Sequence, residues 1–352
     1  MLKVIRESSG HTQEQFAEQL GVDIATVQGW ESGRRPLMAT STGMYFALRR
    51  ALLKLGTRPR LLDQLDSAVE ADRFVGFVLG TEIRDLALDD HPLASWVITR
   101  PFTDLVAWPF TQTTPSALSG TGRKTARRGP VATAPTLLPD ERAHFFDHLK
   151  IAAERADTSR VDGLLLRRPA HYVASFDESD DTAGWLTETQ RAEERRAGRA
   201  GDWTPSWAVI RSGAHTLARI GDREGLQHFI RTRLTDERCE LANLNYWAYW
   251  LGEVTESQVT DLFMVELSPG SWRGTEILRH LSSKLDSDNP YVDVVAHTLW
   301  ALIMLRPAAL EPGTADDLQR RVARLMDEDG VSAQSRRELE AVAYALRMTD
   351  RG

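Results

Sequence analysis

The chain has 352 residues with a formal net charge of −7; 42% are apolar and 26% charged, as in globular proteins that bury a core. At roughly 100–200 residues per domain, we expect two or three domains. Uncharged apolar runs long enough for a membrane span or a signal peptide are absent, and one cysteine, Cys239, excludes a disulfide framework or a zinc site of several thiolates. We therefore expect a cytoplasmic protein.

Charge is distributed unevenly along the chain. The first 60 residues contain nine Lys and Arg against five Asp and Glu, a net +4, which leaves −11 for the other 292 residues. A small basic segment attached to an acidic body is typical of a protein that contacts DNA with one end.

The first part of the chain carries the local signals of two short helices joined by a tight turn. Thr12 followed by Gln15 predicts a capping box at the start of one helix. Gly21 predicts its end, because glycine adopts the left-handed conformation without steric strain. Asp23 then predicts the start of a second helix, with Val27 and Trp30 facing inward. This arrangement predicts a helix-turn-helix.

At these residues the segment resembles the Cro/C1-type (XRE) family of helix-turn-helix regulators. The family pattern is matched by Arg6, Thr12-Gln13, Phe16-Ala17, Gly21, Val27, Trp30-Glu31, Gly33 and Arg35-Pro36. The resemblance covers about residues 1–56 and implies a lambda-repressor-like helical bundle. The architecture of the whole chain resembles that of large actinobacterial regulators, which combine such a segment with a C-terminal helical, tetratricopeptide-like domain.

The resemblance implies roles for individual residues around a recognition helix from Asp23 to Ser32 in the major groove. The implied base contacts are Ile24, Ala25, Gln28 and Gly29. Gln28 would pair with an adenine edge, while Ile24 and Ala25 would contact thymine methyl groups. The implied phosphate contacts are Gln13, Thr26, Ser32, Arg34 and Arg35. Arg6 and Glu31 occupy positions of a buried, structural ion pair.

The remainder of the chain is expected to be almost entirely helical. A mostly helical segment over residues 57–110 contains Phe74–Leu79, whose periodicity does not distinguish helix from strand. Residues 111–138 are rich in Thr, Ser, Pro and Gly and predict a flexible linker, to be cleaved first by proteases near 123–128. Residues 139–352 show helical periodicity with short breaks, which predicts an all-α domain of helical hairpins, tetratricopeptide-like or an irregular bundle.

Two candidate sites lie in this C-terminal part. One is a surface for an effector or partner formed by Asn243, Asn245, Tyr246 and Trp250. The alternative interpretation is that the helix carrying these residues lies in the centre of the helical array and that its aromatic side chains form part of the core. The other is the pair His144 and His148, whose spacing suits a metal but which an amphipathic helix explains better. We expect neither a bound metal nor a cofactor, and Cys239 is expected to be a small buried residue.

Together these features predict a transcriptional regulator that binds an inverted-repeat operator. It would bind as a homodimer, because one helix-turn-helix reads too few base pairs to specify a site. The C-terminal domain is expected to dimerise, to sense a small-molecule or peptide effector, or both, and to have no contact with membranes. An enzyme is disfavoured, since no phosphate-binding glycine loop or nucleophile–base pair is visible. The alternative is an antitoxin or phage-immunity module that regulates its own gene through the helix-turn-helix and sequesters a partner.

Overall fold

The computed structural model describes residues 1–118, 135–197, 202–310, 313–328 and 330–349. Over these ranges the backbone forms seventeen α-helices and several short 3-10 turns, without a β-strand. The predicted all-α class is therefore confirmed. The chain divides into an N-terminal unit (Met1–Asp85 and Arg100–His148) and a C-terminal unit (Leu86–Thr99 and Leu149–Gly352).

Six helices lie wholly in the N-terminal unit: α1 (Leu2–Ser8), α2 (Gln13–Leu20), α3 (Ile24–Glu31), α4 (Thr42–Lys54), α5 (Pro59–Gly80) and α6 (Arg100–Thr111). The predicted capping box is present at the start of α2, where the Gln15 amide N–H donates to the Thr12 hydroxyl and the Gln15 side chain accepts from the Thr12 N–H. Gly21 ends α2 at φ 66°, as the sequence predicts. Asp23 precedes α3, although its side chain accepts no hydrogen bond from that helix.

An aromatic cluster joins α5 and α6 to the first part of α7 (Pro139–Arg155). The Phe74 ring lies 5.8 Å from that of Phe102 and 5.7 Å from that of Phe145, between ring centroids. Phe110 contacts Phe145 and Phe146 at 4.9 and 4.8 Å. The ambiguous stretch that begins at Phe74 is therefore helical, and its apolar side chains are used for packing between helices.

The domain boundaries predicted at residues 57, 111 and 139 stay predictions. Thr111 is the last residue of α6, and Ser116–Leu118 forms a 3-10 turn. Residues 119–134, with the expected site of first cleavage, lie outside the described residues.

The C-terminal unit contains the rest of α7 and ten further helices. They are α8 (Val161–Ala174), α9 (Asp180–Ala197), α10 (Pro205–Arg219), α11 (Arg223–Arg233), α12 (Glu237–Trp250), α13 (Phe263–Glu266), α14 (Thr275–Ser283), α15 (Val292–Leu305), α16 (Ala315–Asp327) and α17 (Ala333–Thr349). Eleven of the fourteen residues of α15 are buried, so this helix lies at the centre of the unit. A tetratricopeptide-like arrangement stays a prediction. No helix within the described ranges is long and apolar enough to cross a membrane.

Candidate nucleic-acid interface

Helix α3 has one face in the core and another towards solvent. Val27 is fully buried, whereas Ala25 and Gln28 are exposed and Ile24 is 36% exposed. Because the exposed side chains of residues 25 and 28 do not share the buried face of Val27, they are available to a groove of DNA. Three of the four residues implied as base contacts therefore lie on the outer face.

Gly29 is the exception, and the structure corrects its expected role. It is buried, because the aliphatic stem of Arg35 lies across it. A Cβ atom added at Gly29 would lie 3.1 Å from Cδ of Arg35, closer than side chains normally approach. The glycine thus makes room for Arg35, and it is the arginine that occupies this part of the outer face. A glycine six residues before an arginine is the only trace of this contact in the sequence.

A hydrogen-bonded network connects α1 to the recognition helix. Arg6 Nε and Nη2 donate to the two carboxylate oxygens of Glu31 at 2.6 and 3.1 Å, and both side chains are nearly buried. Glu31 Oε2 also accepts from Nε2 of Gln13 at 2.7 Å, and Gln13 Oε1 lies 3.4 Å from Nε2 of Gln28. The Arg6–Glu31 pair thus positions a residue implied in phosphate contact, which in turn contacts the residue implied in base reading. The family resemblance implies the ion pair but not this continuation to Gln13 and Gln28.

Three of the residues implied as phosphate contacts directly follow α3: Ser32, Arg34 and Arg35. Thr26 lies in the first turn of α3, and Gln13 is the first residue of α2. Arg34 Nε donates to the Ser32 hydroxyl at 3.1 Å, and Arg35 Nη1 lies 3.5 Å from the Thr26 hydroxyl. Neither arginine has a carboxylate within 4 Å among the described residues, and both are exposed. Their charges therefore remain available to an anion such as a DNA phosphate.

The comparisons with known proteins agree with this geometry. Residues 2–40, which contain α1, α2 and α3, match the family model described as helix-turn-helix. The N-terminal segment is a helix-turn-helix of the Cro/C1 type. This domain supports a DNA-binding regulator. No curated protein and no solved structure gives a significant match to the chain.

Away from the helix-turn-helix, the structure corrects half of the predicted effector surface on α12. Asn243 and Asn245 are both fully buried. Asn243 accepts from Nε of Arg211 at 2.8 Å and donates to the Thr298 hydroxyl at 3.2 Å. Because these buried amides hold neighbouring helices together, they are structural.

Asn245 bonds to backbone carbonyls and to an indole. It donates to the backbone carbonyls of Met264 and Leu267 and accepts from Nε1 of Trp272, at 2.6–2.8 Å. Tyr246 and Trp250 remain half-buried and reach the surface. The surface predicted from four residues is thus reduced to two.

The two histidines with metal-like spacing have other surroundings. His144 Nε2 lies 3.0 Å from the backbone carbonyl of Val78. Burial lowers the pKa of His148 to about 4, so this side chain is neutral at physiological pH. Within the described part of the chain, no group of three His, Cys, Asp or Glu side chains could hold a metal. Cys239 is buried, and burial raises the pKa of its thiol to about 12.

Proposed function

We propose that the chain is a sequence-specific transcriptional regulator that binds an inverted-repeat operator through α3, as a homodimer. In this proposal the protein is a cytoplasmic, DNA-associated protein without catalytic activity, and its helical C-terminal part dimerises, binds an effector, or both. The observation that carries the proposal is the outer face of α3, where Ile24, Ala25 and Gln28 are exposed. Beside them lie two arginines that have no carboxylate partner in the described part of the chain.

The chemistry of this face suits the major groove. The amide of Gln28 offers one donor and one acceptor, which an adenine edge requires, and Ile24 and Ala25 offer apolar contact to thymine methyl groups. Arg34 and Arg35, which follow the C-terminal end of α3, would contact the DNA phosphate backbone, and the N-terminus of α2 at Gln13 would receive another phosphate.

A dimer follows from the size of this surface. One recognition helix contacts too few base pairs to specify a unique site. Two helix-turn-helix domains on half-sites about one turn of the DNA helix apart are therefore needed. The helix-turn-helix segment is small and basic, whereas most of the chain lies in the C-terminal unit. We therefore expect the C-terminal unit to supply the dimer contacts.

The experiment is selection of the bound sequences from random DNA with the full-length protein, followed by affinity measurements on the best site. We expect an enriched inverted repeat, and we expect Gln28→Ala to weaken binding to it by about 1–3 kcal/mol and to relax the preference at one base pair per half-site. Gln19→Ala is the matched control, because Gln19 is an exposed glutamine on α2.

Two results would contradict the proposal. Selection that enriches no sequence would exclude specific recognition. Equal loss of affinity in Gln28→Ala and Gln19→Ala would show that α3 is not the reading element.

A further inference from the structure

Arg211, on α10, is buried without a carboxylate partner. Arg211 is 4% exposed, and no carboxylate in the described ranges lies within 4 Å of its guanidinium. The nearby buried arginines differ: Arg167 lies 2.9 Å from Glu193, and Arg168 lies 2.7 Å from Asp261. Since buried charges in proteins are normally paired, the unpaired Arg211 requires an explanation.

The guanidinium of Arg211 is held in place but is not fully used. Its Nε donates to Oδ1 of Asn243 at 2.8 Å. Its two terminal nitrogens donate to no group of the described residues, yet they are not sealed from solvent. The buried amide of Asn243 thus fixes the plane of a guanidinium whose two terminal nitrogens keep a small contact with solvent and have no hydrogen-bond partner among the described residues.

A second guanidinium shares the same aromatic ring. The central carbons of Arg211 and Arg168 lie 4.2 and 5.4 Å from the centroid of Tyr246. Among the described residues only Asp261 lies within 4 Å of either guanidinium, so the cluster of two arginines has one positive charge in excess. Burial lowers the pKa of Arg211 to about 10, with Arg168 acting in the same direction, but the side chain remains charged at neutral pH.

An aromatic strip continues from this cluster. Tyr246 stacks on Trp250 at 6.0 Å between centroids, and the edge of Tyr172 meets Trp250 at 5.7 Å. All three rings are half-buried. A charged end and an apolar strip side by side match a ligand that has an anionic group and an apolar body.

We propose that Arg211 and Arg168 bind the carboxylate or phosphate of a small anionic ligand whose apolar part packs on Trp250. This proposal goes beyond DNA binding and its test needs no DNA. The residues after the first 60 carry a net charge of −11, so long-range attraction does not explain anion binding there, and the local cluster must supply it.

The test is the melting temperature of the full-length protein in sodium phosphate and in sodium benzoate, each against sodium chloride of equal ionic strength. Three proteins are compared: wild type, Arg211→Met, and Arg231→Met as the matched control with an exposed arginine on α11. A ligand whose concentration is about ten times its dissociation constant should raise the wild-type melting temperature by roughly 3–6 °C.

We expect phosphate, benzoate or both to raise the melting temperatures of wild type and Arg231→Met, and to lose this effect in Arg211→Met. The relative sizes of the two shifts tell which anionic group the site prefers. An equal shift in Arg211→Met would reveal a general salt effect and overturn the proposal, as would the absence of any shift in wild type.

A second variant keeps the test decisive if Arg211→Met does not fold. Trp250→Ala removes a half-buried ring and leaves both guanidiniums in place. We expect it to keep the response to phosphate and to lose part of the response to benzoate. Equal benzoate shifts in wild type and Trp250→Ala would contradict the assignment of the apolar strip.

Discussion

Unfolding of the protein should depend on pH through His297, which lies in the core of the C-terminal unit. This side chain of α15 is 2% exposed, with Nε2 2.8 Å from Glu240 on α12 and Nδ1 2.9 Å from Glu338 on α17. Both ring nitrogens can donate at once only in the protonated imidazolium. Burial lowers the pKa of His297, but the bonds and charges of the two glutamates outweigh it and raise the pKa to about 9.

The size of the effect follows from this pKa. A rise from 6.5 to about 9 corresponds to roughly 3 kcal/mol of additional stability for the protonated form. Because the folded-state pKa lies above the unfolded one, the contribution is fully present below pH 6.5 and is lost as the pH rises to about 9. Deprotonation would also remove the positive charge that both carboxylates contact. Each carboxylate has one buried oxygen that accepts no hydrogen bond from the described residues.

The assay is urea unfolding, followed by circular dichroism, of wild type and His297→Gln from pH 6 to pH 10. The difference in the free energy of unfolding between the two proteins should shrink by roughly 3 kcal/mol across this range, since only wild type loses the proton. His228→Gln, which changes an exposed histidine on α11, serves as control. Parallel pH profiles for wild type and His297→Gln would refute the reasoning.

Three further predictions concern the helix-turn-helix and the core. Gly29→Ala should lower affinity for DNA, because the added Cβ displaces Arg35. It should not lower the urea midpoint, because alanine is more favourable than glycine in a helix by about 1 kcal/mol. Unchanged affinity would contradict the role of this contact. Arg35→Ala should weaken binding to all sequences alike and make the salt dependence shallower by about one unit in a titration of salt concentration; a loss confined to one sequence would instead indicate base reading. Asp293→Ala should lower the free energy of unfolding by about 3–5 kcal/mol in urea titrations, since Asp293 is buried and binds Arg223 and the Ser332 amide; a loss below 1 kcal/mol would contradict this estimate.

The sequence was most informative where the determining interactions are local. The capping box of Thr12 and Gln15 and the left-handed Gly21 involve residues at most three positions apart, so the sequence shows both partners. The spacing of apolar residues likewise predicted an all-α chain, because burial of one helix face repeats every 3.6 residues. A helix with aromatic residues on all sides, such as α12, is ambiguous in this respect, because its pattern fits both a core position and a binding surface.

By itself, then, the sequence determined the helical class and the helix-turn-helix, and it indicated the exposed positions of α3 except at Gly29, which is buried. Only the tertiary structure decided which polar residues of the core meet. His297 binds glutamates 57 and 41 residues away in the chain, and Arg211 binds an asparagine 32 residues away. Such pairs depend on how whole helices pack against each other, which hydrophobic periodicity does not specify. For the same reason Asn243 and Asn245, which are polar and would be placed at a surface by their residue type, are buried where three helices require their hydrogen bonds.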